Sequence, residues 1–241
     1  MRRGIFRVFR IGVLAFGAAG PALAAGLGDI SDRDAAAGLR EALVKGAEAA
    51  VKRLGADNGF FGNERIRIPL PDSLKKVEAM MRSFGMGKQT DELVLRMNRA
   101  AEAAVRDALA AGDLQRAEAL LVDAVRKMTV TDAKAILTGG DDAVTQYFRR
   151  ATSEPLAQKF LPVVKKAMEH VQLAEIYNEF AEKGARFGLL KSEDARLENY
   201  ITRRALDGLF IAMAEEERKI RLDPGVSASS IIRKVFGAIS R

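Results

Sequence analysis

The chain has 241 residues, 48% of them hydrophobic, a net charge of +7 and no Cys. The missing thiols exclude disulfides, a cysteine nucleophile and any thiolate metal site, so the fold rests on its core alone. A chain of this length can build such a core within one domain.

Arg2, Arg3, Arg7 and Arg10 form a positive n-region, and residues 11–19 form a short apolar h-region. Pro21-Ala22-Leu23-Ala24 then supplies small residues for cleavage. This is the three-part pattern of a secretory signal peptide, with cleavage expected after Ala24. The apolar run is far shorter than the roughly 20 residues of a membrane-spanning helix. Residues 1–24 are therefore expected to be removed, leaving residues 25–241 as one periplasmic or secreted domain. A bacterial lipoprotein carries its acyl chains on a Cys at the cleavage point, so no lipid anchor is expected there. Taking those four arginines from the 39 Lys and Arg leaves 35 against 32 acidic residues, a net +3. The remaining cations are interleaved with acids, as around Glu169 and Lys183. That pattern predicts a solvated surface and no nucleic-acid partner, which would need a concentrated basic stripe.

Helical spacing dominates the rest of the chain. Ser31 reads as an N-cap, and Leu39, Leu43, Ala47, Ala50, Val51 and Leu54 recur three and four apart up to Gly55. Residues 55–71 are irregular. Gly59 and Gly62 bracket Phe60-Phe61, Arg65-Ile66-Arg67-Ile68 alternates, and Pro69 and Pro71 force extended backbone. Asp72 or Ser73 is expected to cap a short helix reaching Phe84, and Gly85-Met86-Gly87 breaks the chain. Thr90 is expected to cap a helix with an Ala-rich face of Leu93, Met97, Ala100, Ala101, Ala104, Val105 and Ala108. A helix with Leu114, Ala117, Leu120, Leu121, Ala124, Val125 and Met128 comes after Gly112-Asp113. Thr131 is assigned as the cap of a short helix through Leu137, and Asp141 as the cap of one with Val144, Tyr147 and Phe148. Thr152 or Ser153 is expected to start another, with Pro155 in its first turn and Pro162 kinking or splitting it. Gly184 and Gly188 mark a loop, and Ser192 is expected to cap a long helix with Leu197, Ile201, Ala205, Leu209 and Met213. Asp223-Pro224-Gly225 is a turn before a last amphipathic helix, begun at Ser227 and carrying Ile231, Ile232, Val235, Phe236 and Ile239. The sum is an all-α bundle of about nine or ten helices. At most one short two-strand ladder is expected, between the stretches RIRIP and KIRLDP.

No motif for chemistry stands out. His170 is the sole His, and no run matches a calcium loop, since Asp57-Asn58-Gly59 lacks the alternating oxygens and terminal Glu. No metal or other cofactor is expected. Gly85-Met86-Gly87-Lys88 imitates a phosphate loop, but Arg82 stands where its first Gly belongs and Gln89 where Ser or Thr belongs. No Gly-x-Ser-x-Gly elbow is present. The remaining enzyme route is a cleft glutamate that cuts sugar polymers. Its candidates are Glu102, set between Ala100-Ala101 and Ala103-Ala104, and Glu216. The structural alternative for Glu102 is an ion pair with Arg99, three residues before it.

Several segments together carry a resemblance. They are Leu27-Gly28-Asp29-Ile30-Ser31, Ile68-Pro69-Leu70-Pro71 and Met97-Asn98-Arg99-Ala100-Ala101-Glu102. Next come Met128-Thr129 with Asp132-Ala133 and Ile136-Leu137, then Gly139-Gly140-Asp141-Asp142-Ala143 with Thr145 and Tyr147-Phe148. Ile220-Arg221 with Asp223-Pro224, and Val235-Phe236, close the series. In order and spacing the chain resembles the bacterial family called domain of unknown function 4197, over nearly all of its length past the signal. The resemblance implies an exported, mainly helical, single-domain protein. It brings no activity, cofactor or catalytic residue.

Within those segments Asn98, Arg99, Glu102, Asp132, Thr145 and Tyr147 are polar residues among apolar helical positions. Buried polar groups must be satisfied. The six are therefore expected either to form one internal network that fixes helix packing or to line a ligand pocket. The favoured function is a non-enzymatic binding or interaction module of the envelope, for an apolar or amphipathic ligand held between helices. The alternatives are an envelope-polymer hydrolase acting through Glu102 or Glu216, and a structural partner of another envelope protein. The partner reading would use the stripe Ile231, Ile232, Val235 and Phe236.

Overall fold

The computed structural model describes residues 30–112, 123, 126–127, 129–186 and 197–239. The expected signal and its cleavage site, most of the helix expected after Gly112, the Gly188 loop and the Ser192 cap lie outside them. The elements are α1 (Asp32–Leu54), a 3-10 turn (Asp72–Leu74) leading into α2 (Lys75–Ser83), α3 (Gly87–Ala110), α4 (Val130–Leu137) and α5 (Ala143–His170). They continue with α6 (Leu173–Arg186), α7 (Leu197–Leu222), a 3-10 turn (Pro224–Val226) and α8 (Ser230–Gly237). The fold is all-α: among the described residues there are eight helices and no strand.

The starts of the helices obey capping chemistry, with some shifts from the expected residues. The Ser31 hydroxyl accepts the Asp34 N–H at 3.1 Å, as its position predicts. α4 is capped by Thr129 rather than Thr131. The Thr129 hydroxyl accepts from the Asp132 N–H and the Asp132 carboxylate accepts from the Thr129 N–H, each at 3.1 Å. That reciprocal pair satisfies two otherwise orphaned donors. Ser229, not Ser227, caps α8. α3 starts at Gly87, so Thr90 lies within the helix and is fully buried. Gly85, at φ 75°, makes the left-handed turn that separates α2 from α3.

Thr152, Ser153, Pro155 and Pro162 do not begin or split a helix; all lie inside the 28-residue α5. The Thr152 and Ser153 hydroxyls donate to the carbonyls of Phe148 and Arg149 one turn back. A proline inside a helix costs about 3 kcal/mol. Packing of α5 against both α3 and α7 outweighs that local preference. The RIRIP–KIRLDP ladder does not form, because Lys219, Ile220, Arg221 and Leu222 are the last residues of α7. A turn closed by the Ile66 and Arg67 N–H groups on the Asn63 carbonyl leads into a non-helical strap over residues 67–71, and residues 65–70 bury Ile66, Ile68 and Leu70 and expose Arg65, Arg67 and Pro69 between them.

The core has α1 packed on α7 and α8, and α5 packed on α7 and α3. Phe60, from the loop after α1, is fully buried against Gly208 of α7. A Cβ at Gly208 would stand 2.7 Å from the Phe60 ring. The apolar stripe of α8 also faces inward: Ile232, Val235 and Phe236 are fully buried. Of that stripe only Ile231 is left half-buried at the surface. The stripe meets α1 at Gly38, where a Cβ would lie 2.7 Å from a Val235 methyl carbon and 2.8 Å from its Cβ. Gly to Ala inside a helix ordinarily stabilises by up to about 1 kcal/mol. Gly38→Ala is expected to do the reverse, with a loss of about 1–3 kcal/mol from overpacking. A urea midpoint that rises instead would mean α8 shifts freely on α1. Among the described residues, no helix is long and apolar enough to cross a membrane.

Candidate functional site

Asn98 and Glu102 lie one turn apart on α3, both fully buried, and both face the irregular stretch after α1. Asn98 treats Ile68 as a strand neighbour would. Its Oδ1 accepts the Ile68 N–H at 2.8 Å and its Nδ2 donates to the Ile68 carbonyl at 2.9 Å. The same Nδ2 also reaches the Val94 carbonyl at 2.7 Å. Glu102 Oε1 accepts the N–H groups of Phe60 and Phe61, each at 3.1 Å. Its Oε2 accepts from Arg99 at 2.6 Å, and Arg99 also donates to the Asn58 side chain at 2.9 Å. Asn58 has φ 63°, a conformation that Asn tolerates better than most residues. Fully buried and engaged at both oxygens, Glu102 has no open face toward a polymer substrate. Glu216 is paired with Lys219 at 2.8 Å and with Arg53 at 3.8 Å.

The other three expected residues lie apart from this group. Asp132 is exposed and serves the α4 capping box, where bonds from the Thr129 hydroxyl and N–H hold its carboxyl below the usual range. Tyr147 is half-buried; burial pushes its hydroxyl up, and the Asp132 carboxylate adds to that. Thr145 is buried and belongs to a second centre built on Glu217 of α7. Glu217 accepts the Val144 N–H at 3.0 Å, the Thr145 N–H at 2.8 Å and the Thr145 hydroxyl at 2.7 Å. Arg221 donates to Glu217 at 2.9 Å and to the carbonyls of Leu137 and Ile136 at 2.8 and 3.1 Å. Five of the six residues thus fall at two buried centres and one surface cap, and Tyr147 stands half-buried within the field of Asp132. The sequence points to Glu216, whereas the structure gives the buried role to its neighbour Glu217. The usable signal was the apolar face of α7, since Glu217 continues Met213 by one turn and Arg221 continues Glu217 by another.

A third place is an open cleft between α5 and α7. It has a volume of about 140 Å³ and is lined by Arg65, Asp142, Gln146, Arg149, Phe210, Ile211, Ala214, Glu215 and Arg218. Arg65 comes from the turn before the strap, so α5, α7 and that turn each contribute a guanidinium to one hollow. Phe210 is buried and forms its floor, with the Arg149 guanidinium 5.7 Å from the ring centre. No composition or spacing signal announced this site. Its residues are ordinary surface charges in sequence, and only the packing of α5 on α7 gathers them. Among the described residues, no group of three or more His, Cys, Asp or Glu is placed to hold a metal ion.

No curated protein and no solved structure matches the chain. The family described as protein of unknown function (DUF4197) matches residues 29–237, which spans α1 to α8 and all three places described above. The chain therefore belongs to the DUF4197 family.

Proposed function

We propose that the chain is an exported helical binding module of the bacterial envelope and that its ligand sits in the cleft between α5 and α7. The observation that carries this reading is the cleft itself: guanidinium groups and an amide stand around an apolar floor of Phe210, Ile211 and Ala214. Ligand sites combine an apolar wall with a few convergent polar groups in this way. The buried polar residues are better matched to packing. Asn98, Glu102 and Thr145 all bond to groups within the fold, which leaves the ligand role to the cleft. Export rests on the arginine-led, small-residue pattern of residues 1–24.

The test is to express the full chain in a bacterial host and purify it from the periplasm without detergent. Native mass spectra are then taken before and after organic extraction. The expected result is a chain beginning at Ala25 with a discrete mass that extraction releases. Ala214→Trp, which fills the cleft at a partly exposed position, is expected to lose that mass while keeping its helical circular dichroism. A bare mass from both chains would overturn the binding reading, and a full-length chain in the cytosolic fraction would overturn export.

A further inference from the structure

The cleft's own hydrogen-bonding capacity narrows what it can hold, granted that it is the ligand seat. Each of its three guanidiniums has one carboxylate partner. Arg65 meets Glu215 at 2.8 Å, Arg149 meets Asp207 at 2.6 Å and Arg218 meets Asp141 at 3.3 Å. A guanidinium carries several N–H donors in a planar fork, so donors remain on all three. The acids of the lining are engaged as well. Glu215 is shared between Arg65 and Arg53, the latter at 2.6 Å, and Asp142 accepts from Gln146 at 3.0 Å. The lining itself holds three cations and these two anions, and Asp207 and Asp141 pair with Arg149 and Arg218 from beside it, so selection rests on the remaining N–H donors rather than on net charge. Donors in excess, around an apolar floor, select an acceptor with negative charge. Planar forks match carboxylate and phosphate oxygens best. The volume sets the rest of the ligand. A cavity of about 150 Å³ holds one benzene ring.

We infer that the cleft binds a small amphipathic anion: a carboxylate or phosphate head on the guanidiniums of Arg149, Arg218 and Arg65, and a compact apolar body of about one ring over Phe210 and Ile211. The head is held by charge-assisted hydrogen bonds, so added salt weakens binding at this open site. The body replaces water on the exposed part of the floor.

The experiment titrates the mature, isotope-labelled protein with four probes that share a ring and differ in the head: benzoate, phenyl phosphate, benzyl alcohol and benzylamine. The readouts are the Nε–H signals of Arg149 and Arg218 and the amide of Ile211. At least one anion is expected to shift all three saturably and about tenfold more tightly than benzyl alcohol. Which anion binds more tightly identifies the head as carboxylate or phosphate. The double variant Arg149→Gln, Arg218→Gln is expected to weaken the anions about tenfold and leave benzyl alcohol little changed. Both positions are on the partly exposed face, and an unchanged amide spectrum elsewhere checks the fold. Equal binding of benzyl alcohol, or tightest binding of benzylamine, would overturn the anion inference while the cleft stays a binding seat. Anion affinity that is unchanged at the Ile211 amide of the double variant would also overturn it. No shift at these signals with any probe would overturn both readings.

Discussion

Replacing Glu217 by Ala is expected to cost about 3–5 kcal/mol, the usual loss when one partner of a buried ion pair is removed. Its carboxylate is 5% exposed and the Arg221 side chain 10%. The pair acts on two helix ends at once. At the start of α5, Asp142 makes no side-chain cap, and Glu217 takes the Val144 and Thr145 N–H groups instead. At the end of α4, Arg221 takes the carbonyls of Ile136 and Leu137. Helix ends leave such groups without intrahelical partners, and the macrodipole favours an anion at the first end and a cation at the second. Glu217→Ala strands the Arg221 charge and the α5 donors together. Arg221→Met is expected to do the mirror damage, freeing two carbonyls and a carboxylate. A double-mutant cycle in urea separates this capping role from simple charge pairing. If the two groups serve only each other, the double variant recovers most of the stability. The expected result is that it does not, because the backbone groups of α4 and α5 stay unpaired in it. A double variant near wild-type stability would refute the capping account.

The sequence made the class of fold legible through long runs of apolar residues at helical spacing, and α1 needed nothing more, while α3 and α7 were legible in their middles but not at their ends. It was less informative where tertiary contacts overrule local rules. Pro155 and Pro162 are helix breakers by chemistry, yet α5 runs through both because its neighbours hold it on two sides. Ile66 and Ile68 alternate as a strand does, but Ile66 closes a turn on Asn63 and only the backbone after it runs free of helix. Its partner is the Asn98 side chain rather than another strand, and no periodicity in the sequence encodes that. Asn98, Glu102 and Thr145 were legible as unusual because each sits among apolar neighbours. Their partners were not, since Ile68, Phe60 and Glu217 are brought to them by packing over 30, 42 and 72 residues of chain. Arg65, Arg149 and Arg218 were illegible as a group for the same reason.

Asn98→Asp is expected to destabilise more than Asn98→Ala, although it is nearly isosteric. The amide both accepts and donates: it takes the Ile68 N–H and gives hydrogens to the carbonyls of Ile68 and Val94. Ala leaves the Ile68 N–H and C=O in the core without these partners, at about 1–3 kcal/mol for each unsatisfied group. Asp keeps one acceptor but turns a fully buried negative oxygen toward two carbonyls, which adds repulsion and the desolvation of a charge. A neighbouring substitution reports on the other half of the staple. Glu102→Ala removes the acceptor of the Phe60 and Phe61 N–H groups and the partner of Arg99, and is expected to cost about 3 kcal/mol. Glu102→Gln retains a carbonyl oxygen for the two N–H groups and loses only the charged partner of Arg99. Its cost is expected to be about half as large. Native-state hydrogen exchange distinguishes the two positions. Asn98→Ala is expected to expose the Ile68 amide first, and Glu102→Ala the amides of Phe60 and Phe61. Loss of protection there before the helices open would mean that α3 anchors the strap locally. Equal loss along all helices would mean that the strap is part of the global core and that Phe60, wedged against Gly208, carries the connection.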